Sequence, residues 1–225
     1  MLELIDVHKS YPAEPEDVPV LSRINMRIEP AQSVSIMGPS GSGKTTLLNL
    51  IGGLDQPTSG KVLINQKNLA SLRSGELARL RNRQIGFVFQ LHYLLPQCTV
   101  LENVLLPTLA ERHTHLEQDA TRKRALELLE KTQMKSYCDA LPGQLSGGQR
   151  QRVAVVRALI NKPDILLADE PTGSLDADTA DRMTDLLLDL NKSESVALMI
   201  ATHSRRLAKK TQRQFQLDHH ELSEV

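Results

Sequence analysis

The run Gly38–Thr45 has the residue types and the spacing of a loop that binds phosphate. It reads G-P-S-G-S-G-K-T and matches the pattern G-x-x-x-x-G-K-[ST] at every fixed position. Its glycines let the backbone curl, so that successive N–H groups point at phosphate oxygens. Lys44 supplies a cation for the β- and γ-phosphates of a nucleotide, and the Thr45 hydroxyl is a candidate Mg²⁺ ligand. The run therefore predicts a site for nucleotide phosphates.

The segments on either side of this loop have the patterns of a buried strand and of a helix. The apolar run Val34–Met37 precedes the loop, and the helical run Lys44–Ile51 follows it. A helix N-terminus adds partial positive charge to N–H groups that already point at the ligand. Because a strand, the loop and a helix come in this order, the motif has the context in which it binds phosphate.

Two neighbouring acids end a second apolar run. Asp169 and Glu170 directly follow Ile165–Ala168, which is typical of a buried strand. Asp169 is placed to hold Mg²⁺ through water, and Glu170 is a candidate general base for an attacking water. Taken alone, the pair fits two solvated acids at a strand end equally well. Beside a phosphate loop, the catalytic interpretation is favoured.

A third motif, Leu145–Gln149, reads L-S-G-G-Q and leads into the helical run Gln149–Ile160. A serine hydroxyl and two glycine N–H groups at a helix N-terminus can bind an anion. Taken alone, a Gly-Gly helix start without a ligand is the simpler interpretation. The combination of this motif with the other two is more informative than any of them singly.

Along the chain, the phosphate loop comes first, L-S-G-G-Q second and the acidic pair third. This order resembles that of the ABC-type ATPases, and the resemblance covers essentially the whole chain. Leu145–Gln149 is similar to the signature loop of that family, which lies just upstream of an acidic pair, as it does here. The resemblance implies ATP as the nucleotide and Mg²⁺ as its cofactor. It also implies that Gln90 contacts Mg²⁺ and the attacking water, that His203 contacts the γ-phosphate and that Tyr11 stacks on adenine.

The resemblance assigns candidate site residues to several groups. The ATP-binding residues are Tyr11, Gly38, Pro39, Ser40, Gly41, Ser42, Gly43, Lys44, Thr45 and Thr46. The catalytic residues are Glu170, His203 and Gln90, and the metal ligands are Thr45, Gln90 and Asp169. The signature loop, which contacts ATP on the opposite subunit, is Leu145, Ser146, Gly147, Gly148 and Gln149, and the D-loop is Ser174, Leu175 and Asp176.

The order of the predicted elements indicates an α/β fold. Strand patterns dominate up to residue 90, helical patterns dominate 91–160, and strand–helix alternation then resumes, which predicts a parallel sheet interrupted by helices. The resemblance implies a P-loop NTPase core with a RecA-like parallel sheet, an N-terminal antiparallel β subdomain and an inserted α-helical subdomain. We expect one domain, 1–225, with 1–90 and 161–225 as core and β subdomain and 91–160 as helical subdomain. The predicted strands are Leu2–Val7, Ser22–Ile28, Val34–Met37, Lys61–Ile64, Ile85–Phe89, Ile165–Ala168 and Ala197–Ala201.

Local signals predict several helix ends and turns. The capping box T-x-x-E at 99–102 opens a helix that Pro107 should end or kink, and a second box at 114–117 opens a helix to about Met134. The segment Ala13–Pro19 predicts an exposed loop, and 65–66 (Asn-Gln) predicts a hairpin turn that lacks the glycine often found there in the family. A one-sided apolar stripe predicts a further helix at Met183, Leu186, Leu187 and Leu190.

Composition limits the classes of partner. The chain of 225 residues has 27 Lys plus Arg and 27 Asp plus Glu, and this balance argues against a nucleic-acid partner. Cys98 and Cys138 lie in no metal-binding spacing and predict free thiols. The N-terminus lacks the pattern of a signal peptide, and no apolar run reaches the roughly 18 residues that span a bilayer. We expect a cytoplasmic protein that reaches the inner face of the cell membrane through a partner.

The resemblance also implies partners. ABC ATPases work as head-to-tail dimers, and one phosphate loop plus one signature loop per chain predicts a homodimer with two equivalent sites. The apolar segment Leu91–Pro96, directly after Gln90, is expected to receive an integral-membrane permease subunit. The alternative for these leucines is packing within the helical subdomain.

Three functions are compatible with an ABC ATPase. The runs Gly86–Pro96, Thr99–Pro107 and Asp169–Asp176 most resemble the lipoprotein-releasing and macrolide-exporter group, which predicts the ATPase of an export complex. A non-transport mechanotransmission ATPase of the cell-division type is the alternative. A soluble ABC protein acting on DNA or ribosomes is disfavoured, because the chain has neither tandem cassettes nor a long coiled-coil insertion.

Overall fold

The computed structural model describes residues 1–14, 16–110 and 115–225, which form two β-sheets and the helices around them. The strands are β1 (Leu2–Tyr11), β2 (Val18–Ile28), β3 (Ser33–Met37), β4 (Ser59–Ile64), β5 (Lys67–Asn68), β6 (Ile85–Val88), β7 (Ile165–Asp169), β8 (Ala197–Thr202), β9 (Arg213–Asp218) and β10 (Glu221–Glu224). The α-helices are α1 (Lys44–Ile51), α2 (Ser74–Gln84), α3 (Val100–Leu105), α4 (His115–Lys131), α5 (Gly147–Leu159), α6 (Ala177–Ser193) and α7 (Arg205–Ala208). Short 3₁₀ helices lie at Leu69–Ser71, Leu106–Ala110, Lys135–Tyr137 and Pro142–Gln144.

The small sheet has the strand order β2-β1-β4-β5 and is antiparallel throughout. Three of the predicted strands lie in it, each within a longer strand. Because β2 begins at Val18, the prediction of a loop over Ala13–Pro19 is wrong at its C-terminal end. Val18 pairs with Tyr11, so cross-strand pairing extends the hairpin into the predicted loop. The strand β2 is first in the strand order, and at a sheet edge the missing N–H of a proline is tolerated.

The turn between β4 and β5 forms at Asn65 and Gln66, as predicted, although neither is glycine. Their φ angles are 48° and 66°, in the left-handed region that glycine adopts more readily. Side-chain bonds hold the turn: the N-terminal ammonium of Met1 donates to Asn65 Oδ1 at 2.8 Å, and Asn65 Nδ2 donates to Asp164 Oδ2 at 2.9 Å. These contacts explain how asparagine serves here.

The large sheet has the strand order β10-β9-β3-β8-β7-β6 and is parallel except for β10, which runs antiparallel to β9. Alternate residues of its strands enter two different cores. Leu167 and Met199 pack with α1 and the small sheet, whereas Leu166 and Leu198 pack with α3, α4, α5 and α6. Burial on both faces explains why these strands are continuous apolar runs. The predicted α/β fold, with a parallel sheet and a separate antiparallel one, is confirmed.

Several predicted helix ends agree with the structure. Thr99 caps α3: its Oγ1 accepts from the N–H of Glu102 at 3.2 Å, and the Glu102 carboxylate accepts from the N–H of Thr99 at 2.7 Å. The helix ends at Leu105, and Pro107 lies in the 3₁₀ helix that follows. The predicted cap at Thr114 lies outside the described residues. The α4 helix ends at Lys131, and the predicted stripe on α6 faces the core.

The α2 helix and the β9–β10 hairpin are among the elements that were not predicted. The α2 helix lies within the segment that was expected to be strand-rich, and Leu80 is the residue it buries fully, so it has no apolar stripe to reveal it. The β9–β10 hairpin contributes Phe215 and Leu217 to the core, and two apolar residues are too few to define a pattern. The boundaries of the helical subdomain at residues 90 and 160 stay a prediction. Among the described residues, no helix is both long and apolar enough to cross a membrane.

Candidate functional site

The predicted phosphate loop connects the end of β3 to the start of α1. Gly41 and Gly43 adopt φ angles of 79° and 101°, a region that favours glycine. At Gly38 the reason for glycine is space, because a Cβ there would lie 2.5 Å from the carbonyl oxygen of Leu217 in β9. The sequence therefore folds here into a tight curl ahead of a helix N-terminus, which is the form of a phosphate cradle.

Lys44 lies at the centre of this curl. Its side chain is buried, and Nζ donates to the carbonyl oxygens of Gly38 and Pro39, each at 2.9 Å. The ammonium is thus held against the loop by two neutral acceptors. A cation in this position, together with the loop N–H groups, makes the cradle attractive to anions.

The loop forms one wall of a cleft of about 520 Å³. The opposite walls come from residues that follow three other strands of the large sheet: Gln90 after β6, Asp169 at the end of β7 and His203 after β8. Carboxyl ends of neighbouring parallel strands meet at one edge of a sheet, so residues far apart in the chain converge here. The cleft is lined by Val20, Ser40, Gly41, Gly43, Lys44, Thr45, Thr46, Gln90, Asp169, Glu170 and His203.

Asp169 contacts the phosphate loop directly. The Thr45 hydroxyl donates to Asp169 Oδ2 at 2.8 Å. Burial raises the pKa of Asp169, and the neighbouring charge of Glu170 raises it further, while the Thr45 hydrogen bond and the charge of Lys44 oppose these effects. A partly buried carboxylate whose charge is disfavoured in this way is relieved by a bound cation.

The oxygen donors at this point suit Mg²⁺. The Thr45 hydroxyl, the Asp169 carboxylate and the Gln90 amide are hard oxygen ligands, and all three side chains line the same cleft. Among the described residues, no group of three or more His, Cys, Asp or Glu could hold a metal ion by itself. Mg²⁺ is typically bound through one or two carboxylates together with substrate phosphates, and Asp169 supplies one such carboxylate here.

Glu170 has an unusual backbone conformation, and one of its carboxylate oxygens lies beside His203. Its φ is 45°, which is uncommon for a residue other than glycine, and its N–H donates to the carbonyl of Ala201 in β8 at 2.9 Å. His203 Nδ1 lies 2.9 Å from Glu170 Oε2, but the contact is not aligned as a hydrogen bond. Within the described part of the chain, this buried oxygen has no hydrogen-bond partner. The Glu170 side chain lines the polar cleft, and a carboxylate in that position can accept a proton from water.

Gln90 lies next to Gly173, which directly precedes the predicted D-loop. Gln90 Nε2 is 3.2 Å from the position that a Cβ on Gly173 would take, so a larger residue there would push against the amide. Asp176 caps α6, since its Oδ1 accepts from the N–H of Thr179 at 3.0 Å. This hydrogen bond holds the pKa of Asp176 below its usual range. The helix α6 therefore has its cap within the D-loop.

The predicted signature loop does not line the cleft of its own chain. Ser146 caps α5: its Oγ accepts from the N–H of Gln149 at 3.3 Å, and Gln149 Oε1 accepts from the N–H of Ser146 at 2.8 Å. Leu145 is buried in the core, whereas Ser146 is exposed. A Cβ at Gly148 would lie 2.8 Å from Thr179 Cγ2, so glycine lets α5 start close to α6.

Tyr11 also lies outside the lining of the cleft. Its hydroxyl donates to Asp55 Oδ2 at 2.8 Å, and the Nζ of Lys9 donates to Asp55 Oδ1 at 2.8 Å while lying 4.6 Å from the centre of the Tyr11 ring. Burial acts to raise the pKa of Asp55, but the bonds from Lys9 and Tyr11 lower it overall. Sequence reasoning missed Lys9 and Asp55, since 46 residues separate them. It also missed Val20, an apolar strand residue with no motif.

A phosphate cradle on a strand–loop–helix unit, with acidic, amide and imidazole side chains at the same sheet edge, defines a P-loop nucleotide-binding protein. A family profile for ABC transporter matches residues 21–173, about two thirds of the chain. The chain belongs to the ABC transporter family, as an ATP-binding and ATP-hydrolysing member of it. This confirms the resemblance that the three motifs carried.

Individual relatives agree with this assignment. The lipoprotein-releasing system ATP-binding protein LolD of Pseudomonas fluorescens is 46% identical over 213 residues, which cover 95% of this chain and 92% of LolD. An uncharacterized ABC transporter ATP-binding protein of Bacillus subtilis, YvrO, is 45% identical over 213 residues, covering 95% and 91%. The solved dimeric structure of MJ0796, a bacterial ABC transporter cassette, matches with a TM-score of 0.89 and 42% identity, covering 99% of this chain and 97% of that one. A dimeric post-hydrolysis state of the same cassette, bound to ADP and Pi, matches with a TM-score of 0.88 and 41% identity, covering 100% and 98%.

Proposed function

We propose that this ATPase works as a head-to-tail homodimer, in which each ATP lies between the phosphate loop of one chain and the signature loop Leu145–Gln149 of the other. The observation that carries the proposal is that both half-sites are formed on one chain but in different places. One chain alone therefore offers ATP a single wall. Two solved structures of one relative, both described as dimeric, support the same assembly.

Each wall has its own task in this proposal. The loop N–H groups and Lys44 bind the phosphates, and Tyr11 offers the exposed part of its ring to the adenine. Glu170 accepts a proton from the attacking water through its carboxylate, and the exposed His203 imidazole orients the γ-phosphate. The signature loop adds Ser146 and the N-terminus of the 13-residue helix α5 to the far side of the γ-phosphate.

Thr45, Asp169 and Gln90 would hold Mg²⁺, with Asp169 acting through water. When bound, Mg²⁺ supplies positive charge that offsets the negative charge on the transferring phosphoryl group. The chain's own contribution is to present hard oxygen donors at the edge of the phosphate cradle. The hydrogen bond between Thr45 and Asp169 supports this, because it places two of the donors side by side.

The work that ATP drives is proposed to be lipoprotein release. Several relatives more than 40% identical are named as the ATP-binding protein of a lipoprotein-releasing system. The corresponding assembly is an export complex on the inner face of the cell membrane. In it this chain is the peripheral subunit and an integral-membrane permease handles the cargo.

The docking segment Leu91–Pro96 is the proposed contact with that permease. Leu91 and Tyr93 are 64% and 63% exposed, whereas Leu94 packs in the core with the helices. Packing within the chain accounts for Leu94 and, through the edge contact of its ring with Phe89, for part of Tyr93. It leaves Leu91 largely in solvent, and exposed apolar side chains of this kind favour a partner surface. The segment borders an apolar groove of about 430 Å³, lined by Leu54, Ala78, Arg81, Asn82, Ile85, Gly86, Phe87, Phe89, Pro107, Arg157, Ala158 and Asn161.

Co-purification from membranes tests this function. We expect the tagged chain, extracted in mild detergent, to bring down an integral-membrane subunit in stoichiometric amount. Leu91→Glu places a charge in the apolar contact and should reduce recovery of that subunit about tenfold or more, since an unpaired buried charge costs more than 1.4 kcal/mol. Ile5→Glu is the matched control, because Ile5 is an exposed apolar residue of β1, outside the docking segment.

Recovery of the chain without any membrane subunit would sink the transporter assignment. Equal loss with Leu91→Glu and Ile5→Glu would show that the docking segment is not the contact. Identification of the captured subunit by mass spectrometry decides between export and mechanotransmission, since the two classes of membrane partner differ in sequence.

A further inference from the structure

Two side chains of α5 hold the backbone of the segment 89–93. Gln151 is 1% exposed, its Nε2 donates to the carbonyl of Phe89 at 3.2 Å, and its Oε1 is hydrogen-bonded to His92 Nδ1. Arg157 donates from Nη1 to the carbonyl of Tyr93 at 2.6 Å and from Nη2 to the carbonyl of His92 at 2.7 Å. We call Gln151 and Arg157 the clamp. Through the clamp, one helix binds three carbonyls within five consecutive residues.

If Gln151 and Arg157 served only to fill space in the core, a polar and a charged side chain would be an unfavourable choice. A buried amide and a half-buried guanidinium must both be fully paired, and burial lowers the pKa of Arg157. The described contacts of Arg157 in this region are with carbonyl oxygens and not with a carboxylate. Fixed, charge-assisted bonds to backbone carbonyls hold a loop in one position more firmly than apolar contacts do.

The clamped segment joins two functional surfaces. Gln90 lines the ATP cleft, and Leu91 and Tyr93 are exposed in the docking segment. The clamping helix α5 itself begins at the signature loop. The three regions are thus connected through one helix and one short segment.

We propose that Gln151 and Arg157 are positioning residues that make the segment 89–93 move as one piece with α5. When the signature loop closes on ATP, the clamp carries the displacement to Gln90 and to the docking segment. The inference rests on the proposed function for its consequence, while the clamp itself is a property of the single chain.

The test compares Gln151→Leu, Arg157→Ala and Arg157→Lys with the control Thr184→Val. Thr184 is a buried α6 residue whose hydroxyl donates to the carbonyl of Ala180 at 2.8 Å, so its loss is also the loss of one buried hydrogen bond. The first readout is amide hydrogen exchange of 90–96 in the nucleotide-free protein. We expect it to be about tenfold faster or more in Gln151→Leu and Arg157→Ala, intermediate in Arg157→Lys and unchanged in Thr184→Val.

The second readout is steady-state ATP hydrolysis. We expect kcat to fall about tenfold in Gln151→Leu and Arg157→Ala with KM for ATP within about twofold of wild type, because the phosphate loop is untouched. Arg157→Lys should recover part of kcat, since an ammonium can reach one of the two carbonyls. If Gln151→Leu does not fold, the comparison of Arg157→Ala with Arg157→Lys still tests whether the clamp positions the segment 89–93.

Unchanged exchange over 90–96 in Arg157→Ala would overturn the clamp. The clamp would also be overturned if Arg157→Ala and Arg157→Lys had the same kcat and the same exchange rates. A loss of kcat in Thr184→Val as large as that in Arg157→Ala would overturn it as well. The exchange experiment needs neither ATP turnover nor a membrane partner. If the proposed function is wrong, the wild-type chain will not dimerise with ATP. The clamp variants would then still exchange the amides of 90–96 faster than wild type.

Discussion

Replacing Glu170 by glutamine is expected to lower the turnover number for ATP about 100-fold or more while changing the dissociation constant for ATP less than about threefold. Glutamine keeps the shape of the side chain but cannot take a proton from water. The Glu170 side chain lines the same cleft as the phosphate loop, so the loss falls on the chemical step. Steady-state hydrolysis and calorimetric titration with ATP measure the two quantities separately.

The control for this variant is Glu29→Gln, which makes the same chemical change at an exposed glutamate paired with Arg27. We expect wild-type turnover from it. If Glu170→Gln hydrolyses ATP at the wild-type rate, the assignment of the general base is wrong. If the turnover number falls and the dissociation constant for ATP rises by a similar factor, Glu170 acts in binding and not specifically in proton transfer.

Replacing Lys44 by alanine is expected to weaken ATP binding about 30-fold or more, which corresponds to about 2 kcal/mol for a lost charge-assisted contact. The Lys44 ammonium lies within hydrogen-bond distance of the Gly38 and Pro39 carbonyls, at the centre of the loop that faces the phosphates. Its removal takes away the cation and leaves both carbonyls pointing into the cradle. Titration with a fluorescent ATP analogue gives the dissociation constant directly.

Lys61→Ala is the matched control, because Lys61 is an exposed lysine of β4 outside the cleft. Its affinity for ATP should equal that of wild type. An unchanged affinity in Lys44→Ala would count against the phosphate loop as the ATP site. Lys44→Arg should also bind weakly, because a planar guanidinium does not fit a cradle shaped around an ammonium.

The sequence predicted the parts of the site that depend on short spacing. The phosphate loop is contiguous, and Asp169 and His203 each follow an apolar run that forms a strand of the large sheet. Because parallel strands end at one sheet edge, these residues could be brought together by reasoning alone. Their roles in the reaction stay predictions until the variants are measured.

The parts that sequence reasoning missed depend on contacts between distant segments. Gln151 bonds to Phe89 across 62 residues, and Lys9 bonds to Asp55 across 46. A polar residue on a helix and a lysine on a strand carry no local signal of such partners. The helix α2 was missed for a different reason, since it buries Leu80 and exposes most of its polar residues.

The measurement that tests the central claim most directly is the ATP-dependent dimerisation of Glu170→Gln by sedimentation velocity. We predict a species of 25.0 kDa without ATP and one of twice that mass with ATP and Mg²⁺. Adding Ser146→Asp should abolish the dimer while ATP binding is retained, because aspartate keeps the helix cap but repels the γ-phosphate on the other chain. Ser146→Asn, an equally good cap without the charge, should still dimerise. A Glu170→Gln protein that binds ATP but stays at 25.0 kDa, or a dimer that is indifferent to Ser146→Asp, would contradict the shared site.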